Sequence, residues 1–446
     1  MSKPQIELIK NAGIVGAGGA GFPTYIKYGA KVDTFIINAA ECEPLIDVDK
    51  ILIQNYFEKV YEGIKTASEL LEAKRVVLAL KAKYKSAIEV IEQFKKKNNI
   101  NDFEIYKMDN FYPAGDEQVL VYEITGKIVP EGGIPLMVGV VVSNVETLFN
   151  VANALKNIPV TEKFVTVNGQ VKFPQTIIVP VGTPINVILD YCGLDKSKDF
   201  KVLDGGPMMG KLIDETDYAV KKTTKSILVL PSDNIVIIQK LRSKANQVKR
   251  AQAICLSCRM CTDLCPRYLL GHSLFPDELM KKMYKGTLND DELERFSFSY
   301  LCCDCGVCEL FSCPVDLSPR SLLNYIKEKL SQLKVKNPHT RKDLNVNEFR
   351  EYRKVPVNRL ISRLNIEEYD VKTELKQFDA KIGFVKLYLT QHIGAKSIPI
   401  VNVGDKVVAG QIIAKIPEDK IGSNIHSSID GVVKEISNDY IIVEKS

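Results

Sequence analysis

Short apolar runs alternate with amphipathic stretches from the start of the chain to about residue 150. Thr34-Phe35-Ile36-Ile37 and Arg75-Val76-Val77-Leu78-Ala79-Leu80 read as buried strands, and the apolar spacing from Ser86 to Phe94 reads as a helix. Strands that alternate with helices predict an α/β layer built on a largely parallel sheet. From about Val160 to Leu230 the texture turns β-rich, with Phe164-Val165-Thr166-Val167, Thr176-Ile177-Ile178-Val179 and Ser226-Ile227-Leu228-Val229 separated by glycine and proline. A separate small domain is predicted there. One helix is predicted from Ile235 to about Ile254, followed by a helical, loop-rich region to about Leu333. Residues Lys334 to Lys376 are highly charged and read as a connecting arm. Phe384 to Glu444 places Gly-Asp and Asp-Gly turns between short apolar strands, which predicts a compact β domain. A β domain behind a charged arm predicts a detachable module.

The chain's 446 residues exceed one ordinary core, so three or four domains are expected. A composition 45% hydrophobic and 26% charged is that of globular protein. The net charge of +5 and the absence of basic runs longer than Lys95-Lys96-Lys97 argue against nucleic acid. The opening MSKPQIELIKNAG lacks a secretion pattern, and no apolar run reaches the roughly 18 residues of a spanning helix. A cytoplasmic protein without direct membrane insertion is expected, with a microcompartment or the inner face of a membrane complex as places of association.

Nine of the eleven cysteines lie between Cys255 and Cys313, eight of them in two spaced motifs. In a large cytoplasmic chain this favours metal ligation over disulfides. The first motif is Cys255-x-x-Cys258-x-x-Cys261-x-x-x-Cys265-Pro266 and the second Cys302-x-x-Cys305-x-x-Cys308-x-x-x-x-Cys313-Pro314. Three thiolates at this interval can wrap one [4Fe-4S] cubane, while the cysteine before proline reaches the other cluster. Cys255, Cys258, Cys261 and Cys313 are then one ligand set, and Cys302, Cys305, Cys308 and Cys265 the other. The second motif carries one extra residue before its last cysteine, which leaves the cross-over there open. Structural zinc is the alternative for paired Cys-x-x-Cys units, but it does not call for a third cysteine at the same interval followed by Cys-Pro. Cys42, Cys192 and Cys303 are left without a ligand role.

Gly16-Ala17-Gly18-Gly19-Ala20-Gly21-Phe22-Pro23-Thr24 is a dense glycine loop ahead of a predicted helix, suited to bringing backbone N–H groups against phosphate. No clear strand precedes it, so the dinucleotide fingerprint is not met, and a plain tight turn is the alternative. This loop, with Lys27, Asn38-Ala39-Ala40-Glu41-Cys42-Glu43-Pro44, Gly115-Asp116-Glu117 and Asn144-Val145-Glu146-Thr147-Leu148, resembles the flavin and NADH site of the flavoprotein subunit of respiratory complex I. The whole chain is more similar to the family that includes the Rnf-complex C subunit and the corrinoid (cobalamin) reductase of propanediol utilisation, and proline-reductase-associated electron-transfer proteins share its plan. The resemblance implies FMN contacts from Gly18, Gly19, Gly21, Lys27, Asn38, Glu41, Asn144 and Thr147. It also implies that Phe22, Glu43 and Glu117 face NADH, with Glu117 as the catalytic residue. Ala40 and Asp116 depart from the complex I pattern, which has aspartate and glutamate at these positions.

The implied multidomain α/β architecture is an α/β FMN/NADH-binding domain at 1–155, a β-grasp SLBB domain at 156–232 and a helical ferredoxin-like domain with two [4Fe-4S] clusters at 233–335. A connecting arm at 336–379 and a barrel-sandwich hybrid β domain at 380–446 complete it. For the β-grasp domain, with Gly205-Gly206-Pro207-Met208-Met209-Gly210, an architectural role is preferred over a ligand site, and the paired methionines read as packing. His272, His339, His392 and His426 are expected to be ordinary hydrogen-bonded residues. The implied function is an NADH-dependent oxidoreductase that passes electrons through FMN and the clusters to a protein partner: a corrinoid adenosyltransferase, a proline-reductase system or an Rnf-like complex. A flavin-free cluster carrier that docks between redox enzymes is the alternative.

Overall fold

A computed structural model describes residues 4–285 and 290–446. The first segment contains helices α1 (Pro4–Asn11), α2 (Thr24–Lys27), α3 (Val48–Leu71), α4 (Lys85–Lys97), α5 (Glu117–Thr125) and α6 (Val145–Ala154), and strands β1 (Thr34–Ala39), β2 (Arg75–Lys81), β3 (Glu104–Met108), β4 (Phe111–Tyr112) and β5 (Val140–Asn144). The apolar runs become central strands because both faces are covered: Phe35, Ile36, Ile37, Val77, Leu78 and Leu80 are fully buried. The sheet order is β3-β2-β1-β5, with every pairing parallel. The chain winds outward from β1 to β3 and then returns to the far side of β1 with β5. That reversal opens a crevice at the carboxyl ends of β1 and β5, where open α/β sheets bind ligands.

The β-rich region folds as β6 (Glu162–Gly169), β7 (Gln175–Pro180), α7 (Ile185–Tyr191), β8 (Phe200–Asp204), β9 (Lys211–Ile213) and β10 (Ser226–Pro231). The last strand inserts beside the first, parallel to it, giving the order β7-β6-β10-β8-β9 of a β-grasp sheet. A fully buried ion pair between Lys163 and Glu146 ties β6 to α6.

The predicted helix at 235–254 is two helices, α8 (Ile235–Leu241) and α9 (Lys244–Ile254). Arg242 is extended, and the Ser243 hydroxyl accepts a bond from Asn246 N, so the serine caps a new helix. Helices α10 (Met260–Asp263), α11 (Pro266–Leu269), α12 (Pro276–Lys285) and α13 (Pro319–Gln332), a 3₁₀ stretch at Asp290–Leu301 and a π-helical turn at Val307–Phe311 carry the cysteine loops.

The charged stretch that follows is laced to its neighbours. Strand β11 (Val355–Pro356) pairs with β4, α14 (Val357–Arg363) packs below it, and β12 (Leu375–Gln377) extends the β-grasp sheet beside β7. The C-terminal strands β13 (Phe384–Tyr388), β14 (Ile398–Pro399), β15 (Lys406–Val407), β16 (Ile412–Lys415), β17 (Ile425–His426), β18 (Gly431–Ile436) and β19 (Tyr440–Lys445) form two sheets, β13-β19-β18-β15 and β14-β16-β17. Their shared core includes Val385, Leu387, Ile413, Val433 and Val443. Among the described residues no helix is long and apolar enough to cross a membrane.

Candidate functional site

The glycine loop closes on itself through Gly16 N to Phe22 O (2.9 Å) and Gly21 N to Gly16 O (3.2 Å). Gly18, Gly19 and Ala20 form its exposed crest. A Cβ on Gly19, where φ is +116°, would meet nothing within 4 Å, so the backbone faces open space. A Cβ on Gly18 would stand 3.5 Å from Asn144 Cβ, and Ala17 N donates to Thr147 Oγ1 at 3.0 Å. The loop therefore lies over the first turn of α6, whose N-cap is Asn144, accepting from Glu146 N at 3.0 Å. Free loop N–H groups above the positive end of a helix fit an anionic group such as the FMN phosphate.

The crevice wall is a polar network. Asn38 accepts from Ala40 N and donates to Gly115 O at 2.9 Å. Asn144 Nδ2 donates to both oxygens of Asp49, at 3.1 and 3.0 Å. Lys225, from the β-grasp segment, reaches Glu41 at 2.5 Å and Asp49 at 2.8 Å. Burial works against the Lys225 ammonium, but the two carboxylates outweigh it and raise its pKa above that of an ordinary lysine. At the partly exposed edge Lys27 Nζ lies 3.1 Å from Glu117 Oε1 and 3.2 Å from Val142 O. Phe22 is half-buried. Glu43 is turned elsewhere: its carboxylate accepts Met208 N at 3.0 Å and Met209 N at 2.7 Å. Burial raises Glu43 to about 7 against the lowering effect of those two bonds.

The cysteines surround two cavities. One is lined by Cys255, Cys258, Cys261 and Cys313. The other is lined by Cys265, Cys302, Cys305 and Cys308, with Cys303 beside them. Among the described residues no three His, Cys, Asp or Glu side chains converge as a single metal ion requires. Each set encloses a volume, which fits a cubane better than zinc. The extra residue before Cys313 is absorbed in the π-helical turn, where Ser312 N bonds to Val307 O, five residues back, at 2.8 Å. Burial pushes the Cys265 thiol up to about 12 and Cys302 to about 11, an effect that an iron cluster offsets by ligating the thiolate.

Two contacts join the second cavity to the crevice. Arg267, two residues after Cys265, grips Asp116 with both guanidinium nitrogens (2.7 and 2.9 Å), and Tyr112 OH donates to Cys305 O at 2.7 Å. Cys258, on the first cavity, is exposed. Lys225, Asp49 and Tyr112 carry no signal in the sequence, because each finds its partner far along the chain, and Arg267 carries only its position just behind Cys265-Pro266.

Three family models match: the Nuo51 FMN-binding domain over residues 9–153, the 4Fe-4S dicluster domain over 254–318 and the RnfC barrel sandwich hybrid domain over 368–446. Cobalamin reductase PduS of Citrobacter freundii is 38% identical over 440 residues, 98% of this chain and 95% of that protein. The Na(+)-translocating ferredoxin:NAD(+) oxidoreductase complex of Acetobacterium woodii has a C subunit that is 35% identical over 269 residues, 59% of this chain and 58% of that one. A chain of the NAD+-reducing [NiFe]-hydrogenase in its H2-reduced state aligns with a TM-score of 0.49 and 22% identity, covering 76% of this chain and 63% of its own. The chain thus joins an FMN-binding domain to a two-cluster domain, the combination of an electron-transfer oxidoreductase.

Proposed function

The chain belongs to the cobalamin reductase family of PduS, and from that premise we propose that it oxidises NADH through FMN and sends single electrons through two [4Fe-4S] clusters to a protein-bound corrinoid. When bound, FMN supplies the conversion of a hydride pair into the single electrons that a cubane accepts. In this reading residues 1–155 hold flavin and NADH, 156–232 form the β-grasp, 233–335 hold the clusters, 336–379 connect, and 380–446 form the barrel-sandwich domain. Gly18, Gly19, Gly21, Asn38, Asn144 and Thr147 cradle the flavin, Glu41 orients the wall through Lys225, and Lys27 and Glu117 stand where NADH enters beside Phe22. The eight cysteines are the ligands, crossed over between the motifs.

The observation that carries the reading is the pair of contacts between the crevice and the second cavity, Arg267 with Asp116 and Tyr112 with Cys305. They support an order in which electrons pass from the flavin site to the cluster of Cys265, Cys302, Cys305 and Cys308, and leave by the cluster beside exposed Cys258. A corrinoid on an adenosyltransferase is preferred as acceptor to a proline-reductase or Rnf-like partner, because the match to the cobalamin reductases spans 98% of the chain and the match to the Rnf-type protein 59%. A cytoplasmic setting, with a microcompartment as the place of association, accompanies this choice.

Anaerobically purified protein is expected to carry FMN and about eight irons, and NADH should bleach the iron–sulfur absorbance. Gly19→Val should lose FMN and with it NADH bleaching, while dithionite, which needs no hydride acceptor, still bleaches the clusters. Wild-type protein with full clusters, no flavin and no response to NADH would replace this reading with the flavin-free carrier.

A further inference from the structure

The glycine loop is gripped from outside its own domain. At one end Gly13 has φ +66°, and a Cβ there would collide with Asn424 O and stand 2.6 Å from Lys222 Nζ. At the other end Gly21 has φ +67°, and a Cβ would meet Thr223 Cγ2 at 3.0 Å and His392 Cα at 3.3 Å. These two glycines answer to the close approach of the β-grasp and C-terminal segments, whereas Gly19 between them faces open space.

Hydrogen bonds fix both ends. Gly21 O accepts from Ile393 N at 3.0 Å. Gly13 O accepts from Lys222 Nζ at 2.8 Å and from Ser423 Oγ at 2.9 Å. Lys222 Nζ also donates to Asn424 O at 2.7 Å and to Ser423 Oγ at 3.3 Å. Its backbone N–H donates to Gln391 Oε1 at 2.8 Å, which places the same lysine against the strand end that leads to Ile393. Three acceptors match the three protons of an ammonium. Lys222 is 3% exposed and has no ion-pair partner among the described residues, unlike the buried Lys163 and Lys225, which pair with carboxylates. Burial without a counter-charge pushes the Lys222 ammonium down to about 7, and keeping a protonated lysine here opposes folding, so its presence at this three-way junction, with three acceptors around it, points to a role beyond filling space.

We infer that the C-terminal domain is part of the flavin site, and that Lys222 is a positioning residue that holds the glycine loop in the form that receives the flavin phosphate. The inference rests on the reading of the loop given above. Ordering the loop before the cofactor arrives removes an entropic cost from binding, so loosening the grip weakens FMN without touching any atom that contacts it.

The test uses the full-length protein with its clusters. Lys222→Met should raise the FMN dissociation constant about tenfold or more, as expected for loss of buried hydrogen bonds to a charged group. Iron content and dithionite bleaching should stay unchanged. Excess FMN should restore NADH bleaching by mass action, which damage to the fold would not allow. Ser423→Ala, which keeps the ammonium and removes one acceptor, should weaken FMN about threefold and decides the matter if Lys222→Met does not fold. Wild-type FMN affinity in both variants, or a flavin loss that excess FMN does not reverse, overturns the inference. Gly19→Val separates the two claims. If it loses FMN while the Lys222 and Ser423 variants keep it, only the positioning role falls, and if it too keeps FMN, the loop is not the phosphate site.

Discussion

Arg267 and Asp116 meet as a two-pronged fork with side-chain exposures of 9% and 15%. Asp116 also caps α5 through Gln118 N and Val119 N, both at 3.1 Å. One carboxylate thus orients the helix that begins with Glu117 and anchors the loop that follows Cys265. Planar bidentate pairing is specific to arginine, and removing one partner of a buried pair leaves the other charge uncompensated at about 3–5 kcal/mol. Arg267→Met should therefore lower the denaturation midpoint and slow the NADH-driven bleaching of the clusters, while NADH still bleaches the flavin at its former rate. Stopped-flow absorbance at the two bands checks this, and equal slowing of both phases would count against the pair as the link between the sites. At this scale the sequence was legible where spacing encodes geometry, as in the Cys-x-x-Cys repeats and the glycine loop. It was silent where geometry joins distant residues: Lys225 lies 184 positions from Glu41, and Arg267 151 from Asp116. The departure at Asp116 reads differently once Arg267 is beside it, because the shorter carboxylate serves as both cap and anchor.

Elements whose sequence carries an uninterrupted apolar run were legible, including β1, β2 and the β-grasp strands, because burial on both faces leaves a strand little choice of residue. The break between α8 and α9 was not, since Leu241-Arg242-Ser243-Lys244 contains neither glycine nor proline, and only the capping serine marks it. The π-helical turn at Val307–Phe311 was hidden for a related reason: an added residue in a cysteine motif looks like a defect until the i to i+5 bond from Ser312 is seen. That turn makes a prediction. Deleting Phe311 should collapse it to an α-helical turn and rotate everything downstream by about 100°. Cys313 would then leave the cavity of Cys255, Cys258 and Cys261, whereas Cys305 and Cys308, upstream of the deletion, stay. The variant should lose up to about four irons from the first cluster, keep those of the second, and retain FMN. Iron analysis with EPR of the reduced protein distinguishes the clusters, and loss confined to the second set would refute the cross-over.

Across the whole molecule, the succession of α/β, β-rich, cysteine-bearing and C-terminal β regions was legible because each has its own texture, but their contacts were not, since texture says nothing of interfaces. The C-terminal β domain reads as a detachable module, while the structure bonds it closely to the β-grasp segment. Besides the grip on Gly13 and Gly21, Lys386 N bonds to Gly182 O at 2.8 Å, Ala219 N to Tyr388 OH at 3.3 Å and Ser428 Oγ to Val181 O at 2.5 Å. Val181 of the β-grasp segment is itself part of the C-terminal core. A chain ending at Asp379 would expose Val181 and strip Lys222 of Ser423 and Asn424, leaving a buried ammonium with one acceptor out of three. The cysteine loops make none of these contacts and are braced instead by the stretch that the truncation keeps, through Arg363 to Cys313 O at 3.1 Å and Arg363 to Asp316 at 2.5 Å. The truncated protein should accordingly retain about eight irons and bleach with dithionite, yet bind FMN weakly and fail to oxidise NADH even with a small artificial acceptor. Supplying residues 380–446 as a separate chain should recover part of the flavin binding if that domain folds when detached. Truncated protein that holds FMN and oxidises NADH at the full-length rate would restore the picture of a dispensable module, and would place the order of the glycine loop within the first domain alone.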